Sequence, residues 1–165
     1  MALRKSTLAT GVFDRPSSKA NPAELGQFQL KGTSYTVTAS DTTSDNVVLF
    51  AIPTSACVRS VLLSSDGAAT AGAGDLGIGT LNEAGDTLTA VDLDLFASAQ
   101  AITTALERSD VIDEAGTITI DERFMPIWQA AGQSTDPGGL YWIVYTPTTQ
   151  ADANTIIAVE AELMQ

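Results

Sequence analysis

The sequence predicts an all-β protein: an antiparallel β-sandwich, jelly-roll-like, with two short helices and an extended N-terminal arm. Three observations predict it. Charged residues make up only 17% of the chain, and Thr, Ser, Ala and Gly fill the space they leave, a mix that suits strands with neutral, hydroxyl-bearing faces. From residue 26 onward apolar side chains recur with period 2. Turn residues interrupt that alternation often enough to give about eight or nine short strands, the count of a sandwich.

Residues 1–25 read as the arm. Pro16 and Pro22 interrupt them, and Leu3, Leu8, Val12, Phe13 and Leu25 are scattered singly, so the segment cannot offset its own ordering entropy and is expected to order on a partner. The second region, 26–165, is the sandwich domain. It opens with Phe28 and Leu30, then Tyr35 and Val37, alternating with polar neighbours. Residues 46–52 are apolar on both faces and stop at Pro53, which marks a central strand or one covered by another subunit. In 56–64, strict alternation puts Val58 and Leu62 on one face and Cys57, Arg59, Val61 and Leu63 on the other.

A Gly/Ala-rich loop over 66–74 leads to a short strand at Leu76 and Ile78. Val91, Leu93 and Leu95 alternate with Asp92 and Asp94. Residues 98–108 predict a helix through the Ile102/Leu106 pair at i, i+4, and 117–121 return to alternation through Ile118 and Ile120. Residues 126–131 predict the second helix, opened by Pro126 and stopped by Gly132. Asp136-Pro137-Gly138-Gly139 is a turn, since proline presets φ and glycine permits positive φ. Residues 140–146 are the most β-prone stretch, and the last strand sets Thr155, Ile157, Val159, Ala161 and Leu163 against Glu160 and Glu162.

The formal net charge is −12, unevenly spread. Residues 1–31 hold Arg4, Lys5, Arg15, Lys19 and Lys31 against Asp14 and Glu24, a net of +3; the other 134 residues hold three basic and eighteen acidic side chains, a net of −15. The acidic body repels nucleic acid and anionic membrane, and the mildly basic arm suits docking on an acidic protein surface. The lone Cys57 allows no intrachain disulfide. No apolar run approaches the ~20 residues of a membrane span, and the first residues lack the apolar core of a secretory signal. Synthesis in a reducing cytoplasm is expected.

The chemistry of catalysis is largely absent. The chain has no histidine, the commonest general base and metal ligand, so serine–histidine and cysteine–histidine mechanisms are excluded. One cysteine makes no zinc site; Cys57 reads as a small buried hydrophobe. Gly72 to Gly77 spell GxGxxG, yet the residues that follow are poor helix formers, and a dinucleotide site needs those glycines to open a helix. The acidic groups Asp92/Asp94, Asp110/Asp113/Glu114 and Asp121/Glu122 are the pairs that glycosidases or calcium sites would draw on, but Asp92/Asp94 read as solvated surface and residues 110–114 lack the Gly and spacing of an EF-hand loop. No enzyme activity, cofactor or metal is therefore expected. Tyr141, Tyr145, Trp128 and Trp142 raise a sugar-stacking alternative. Tyr141 and Tyr145 share the face opposite Trp142, and their hydroxyls suit an oligomer interface with one wet end.

Met125-Pro126-Ile127-Trp128-Gln129-Ala130-Ala131-Gly132, the junction Asp136-Pro137-Gly138-Gly139-Leu140-Tyr141 and the β-rich close resemble a family of tailed-bacteriophage capsid decoration (cement) proteins. The segment Asp45-Asn46-Val47-Val48-Leu49-Phe50, followed by Ile52-Pro53 and Ala56-Cys57-Val58, resembles the same family's strand, turn and strand. These patches cover about a third of the chain; Gln129 departs from the acidic residue expected there, and the basic arm has no counterpart. The resemblance implies a virion protein on the capsid exterior, self-associated as a homotrimer and bound to the major capsid protein. The arm residues Arg4, Lys5, Phe13, Arg15 and Lys19 are the expected capsid contact, with no nucleic-acid or membrane partner. The alternative is a tail or baseplate β-module that binds host glycans.

Overall fold

The computed structural model describes residues 28–164 in full and the backbone of Leu3–Lys5. Among the described residues nine strands form: β1 (Leu3–Lys5), β2 (Phe28–Thr36), β3 (Asn46–Pro53), β4 (Cys57–Ser65), β5 (Ala73–Leu81), β6 (Leu88–Ala101), β7 (Leu106–Asp110), β8 (Leu140–Thr149) and β9 (Ile156–Met164). They make two sheets, ordered β1-β3-β8-β5-β6 and β2-β9-β4-β7. Pairing is antiparallel except where Leu3–Lys5 runs parallel to Asn46–Val48. The segment expected as an arm thus begins with a strand on the chain's own sheet; Phe13, Arg15 and Lys19 lie outside the described residues.

One core joins the two sheets. Phe50 and Ile52 of β3, Ile78 of β5, and Tyr141 and Ile143 of β8 meet Val61 of β4 and Val159 and Leu163 of β9, all fully or almost fully buried. The inward set of β9 is the one its sequence predicts, Ile157, Val159, Ala161 and Leu163, with Glu160 and Glu162 turned away. β3 is buried along both faces, as its continuous apolar run requires. Its second face meets Trp142 and Val144 of β8 in a smaller cluster that includes Val48, with Ala51, Leu81, Leu88 and Leu93 packed against it.

The helix at Pro126 forms as expected, in short form: α1 (Ile127–Ala130) has Pro126 at its N-cap, and Gly132 follows at φ +72°. A turn of 3-10 helix, Glu122–Phe124, precedes it. The helix expected over residues 98–108 does not form. Its first part extends β6, where Ala101 and Gln100 pair with Ala73 and Gly74. Its last part is β7, paired with β4. Ile102 between them is buried and donates its N–H to the Gly72 carbonyl at 3.1 Å. The i, i+4 pair is present in the sequence, but ladder bonds to β4 and β5 satisfy this backbone and the local preference loses. The strand expected over 117–121 is also absent: a turn sends Ile118 into the core and leaves Ile120 exposed.

Bulges explain two further departures. Leu76 pairs with Ala97 and Ile78 with Asp92, so β6 fits six residues where β5 has three. Gly77 sits at this crowding, and a Cβ there would collide with the backbone at Asp92 and Leu93. Gly77 therefore serves close strand approach, and Gly74 leaves room for the Tyr145 ring. In β4, Val58 pairs with Leu163 and Ser60 with Glu162, leaving Arg59 as the extra residue. That bulge resets the alternation. Val58, Val61 and Leu63 all point into the core, whereas Cys57 and Leu62 are only half-buried.

Candidate interaction surface

Asp110, Asp113, Glu114 and Glu122, among the acidic groups that a hydrolase or calcium site would draw on, are used as tethers. Asp110 Oδ1 accepts the N–H groups of Val61 and Ile112, each at 3.2 Å, while Arg123 reaches Asp110 at 3.4 Å and Asp113 at 3.1 Å. Glu114 accepts the Ser98 N–H at 2.7 Å. Glu122 accepts both the N–H and the hydroxyl of Thr119, and these bonds hold its carboxyl below the usual range. Asp92, half-buried and beside Asp94, is pushed up, first by loss of solvent and then by its side-chain hydrogen bond with Asp94 and that neighbour's charge. Among the described residues no group of three or more His, Cys, Asp or Glu side chains could hold a metal, and no helix is long and apolar enough to cross a membrane.

The turn at Asp136 locks the β3–β4 connection. Its Oδ1 accepts the hydroxyl of the buried Thr54 at 2.6 Å and the Gly138 N–H at 2.9 Å. Thr54 in turn donates its N–H to the Gly139 carbonyl at 3.1 Å. Gly138 and Gly139 both take positive φ, +70° and +88°, which glycine alone adopts without strain. The Thr54 hydroxyl, helped by the Gly138 N–H, holds the Asp136 carboxyl low.

Tyr141 and Tyr145, expected at an oligomer interface, lie between the two sheets of a single chain, at 1% and 3% exposure. A second subunit has no area of either ring to cover. Burial pushes both phenols up, with the charges of Asp136 and Asp75 adding to it. The Tyr145 hydroxyl is buried without a hydrogen-bond partner, and its ring lies where a Cβ on Gly74 would be. Trp142 is buried, Trp128 packs against the core, and Tyr35 donates its hydroxyl to Asp41 at 2.6 Å. Tyr141, Tyr145 and Trp142 offer no open ring for sugar stacking, and Tyr35 and Trp128 are half-buried.

The outer face of the four-stranded sheet is different. Strand β2 alternates, but Phe28 and Leu30 are on its outward side, 70% and 58% exposed. Phe28 pairs with Met164 of β9, and Met164 with Cys57 of β4, which makes a cross-strand row at one end of the sheet. The Cys57 thiol, half-buried rather than buried as expected, donates to the Phe124 carbonyl at 3.3 Å. Phe124 itself is 56% exposed and follows from the 3-10 turn. Arg59, the extra residue of the bulge, reaches into this row: its guanidinium carbon is 4.9 Å from the centre of the Phe124 ring and 5.7 Å from that of Phe28. Phe28 and Leu30 differ in parity from Tyr35, so one set must face outward, but spacing does not say which, and the Arg59 bulge has no counterpart in it.

No protein-family model matches the chain, and no curated protein does. Two solved structures share the fold. The first, the capsid of Ralstonia phage GP4, aligns over 99% of this chain and 98% of its own at a TM-score of 0.63 and 18% identity. The second, the capsid asymmetric unit of cyanophage Pam1, aligns over 89% and 91% at 0.51 and 15% identity. At these identities the likeness is one of fold.

Proposed function

We propose that this chain is a structural virion protein of a tailed phage, without catalytic activity, and that it decorates the outer surface of the major capsid protein lattice. The observation that carries the reading is near end-to-end agreement of fold with a chain from a phage capsid. The resemblance in residues 45–63 and 125–164 points the same way from sequence. So does the strand order: of the eight strands after β1, β2 and β9 neighbour each other in one sheet and β3 and β8 in the other, an arrangement we read as the jelly roll common among capsid domains. A homotrimer fits the symmetry of such a lattice, with contacts other than Tyr141 and Tyr145. The basic residues of the first 31 remain our choice for one capsid contact.

Add-back to phage heads that lack the protein tests this. The purified chain is expected to fill regular exterior sites in a cryo-EM map, and a map without added density overturns the reading. For the arm, Arg4→Ala combined with Lys5→Ala is preferable to truncation, because removing Leu3–Lys5 also removes a strand paired with β3. Undiminished occupancy by that double variant excludes those two side chains from the contact.

A further inference from the structure

We propose that the Phe28–Arg59–Phe124 patch is a docking site for an acidic, apolar-flanked segment of the coat lattice. This rests on the decoration reading above and adds the surface and the chemistry of its partner. Arg59 is the core of the argument. Of the basic residues from 28 to 164, Arg108 pairs with Glu160 at 2.7 Å, Arg123 with Asp110 and Asp113, and Lys31 reaches the Ala51 carbonyl at 3.3 Å. Arg59 has no ion pair or hydrogen bond with any described residue, in a body whose acidic side chains far outnumber its basic ones. A guanidinium over aromatic rings is held through its π face, which leaves the N–H groups at its edge for an acceptor.

The bulge makes this arrangement specific. Without the extra residue, alternation from Val58 would still carry Arg59 outward but would turn Val61 and Leu63 out of the core; with it, both requirements are met. The bulge thus lets one strand present Arg59 outward and still turn Val61 and Leu63 inward. Around Arg59 the side chains of Phe28, Phe124 and Leu30 are exposed, with Glu162 on the same face between Leu30 and Ser60, and rings beside an arginine are the usual composition of an interface hot spot. Charge complementarity selects the occupant: a carboxylate for Arg59, with aliphatic neighbours to cover the two phenylalanines.

The test adds purified protein to heads that lack it. Wild type is expected to saturate them, Arg59→Glu to bind about thirtyfold more weakly or worse, and Glu83→Gln, on the exposed β5–β6 turn, to match wild type. Arg59→Lys keeps the charge and loses the planar fork, and is expected to fall between; it decides the matter if Arg59→Glu melts early. Cys57, the sole cysteine and part of the same row, supplies a second readout: its alkylation is expected to slow on the head. If wild type saturates and Arg59→Glu and Arg59→Lys saturate equally, the docking site is wrong and the decoration reading stands. If wild type itself fails to bind, both fall. If Arg59→Glu instead changes the sedimentation of the free protein, the patch is a contact between copies, and the proposal is overturned.

Discussion

The five-stranded sheet buries both of its faces along β3 and β8, whereas the four-stranded sheet buries only the face it turns to the core. In β3 and β8 the apolar residues run without a break, because Val48, Trp142 and Val144 are covered on one side and Phe50, Ile52 and Ile143 on the other. In β9, Ile157, Val159, Ala161 and Leu163 alternate with side chains left partly or wholly in water. The difference teaches where surface is still available. A two-sided strand has nothing left to offer a partner, while the one-sided sheet carries Phe28, Leu30 and Arg59 on an open face.

The sharpest break in that comparison comes from substituting each sheet's outward residues. Trp142→Ala removes a ring that is 4% exposed and is expected to cost about 3–5 kcal/mol in urea unfolding. Leu30→Ala, on the open face, is expected to stay within about 0.5 kcal/mol. Equal losses would show that the four-stranded sheet is covered too. Next in size is Gly77→Ala, where the new methyl meets β6 backbone that cannot move aside; a loss of about 1–3 kcal/mol is expected, read as a lower denaturation midpoint.

A smaller effect probes the inside of the sandwich. Tyr145→Phe deletes a buried hydroxyl that has no partner, so stability is expected to hold or rise by up to about 1 kcal/mol. Because the folded phenol titrates above its unfolded value, the wild type is expected to lose stability as pH climbs above about 10, where the unfolded phenol ionises and the folded one does not. Tyr145→Phe is expected to flatten that alkaline fall in thermal melts. The smallest effect belongs to the exposed turn. Asp136 is held low, so its contribution is present above the ordinary carboxylate pKa and disappears as pH falls through the depressed folded value. Thr54→Val is expected to weaken the dependence on pH in that acid window, and an unchanged acid limb would remove the Asp136 lock from the account.

Much of the fold is legible in residue order. Leu140–Thr149 and Ile156–Met164 carry their strands because β-branched and aromatic residues recur without a competing period. The Asp136-Pro137-Gly138-Gly139 turn and the Pro126 helix start follow from local sterics. Residues 98–108 mislead because their helical spacing is a weak local preference, and the bonds that overrule it come from Ala73, Gly74 and the residues of β4, far away in the chain. The interface expected of Tyr141 and Tyr145 fails for a related reason. Period 2 shows that the two rings share a face, but only the packing of the second sheet against it shows that the face is inside.

What the sequence by itself determined is therefore the class: β-structure, an acidic body, a basic beginning, and a composition without the usual means of catalysis. What only the tertiary structure decided is which faces stay open and which residues of β4 join Val58 in the core. The physical reason is the bulge. One unpaired residue in β4 is invisible to a period, because it exists only in register with β9, yet it sets the direction of every side chain that follows it along the strand.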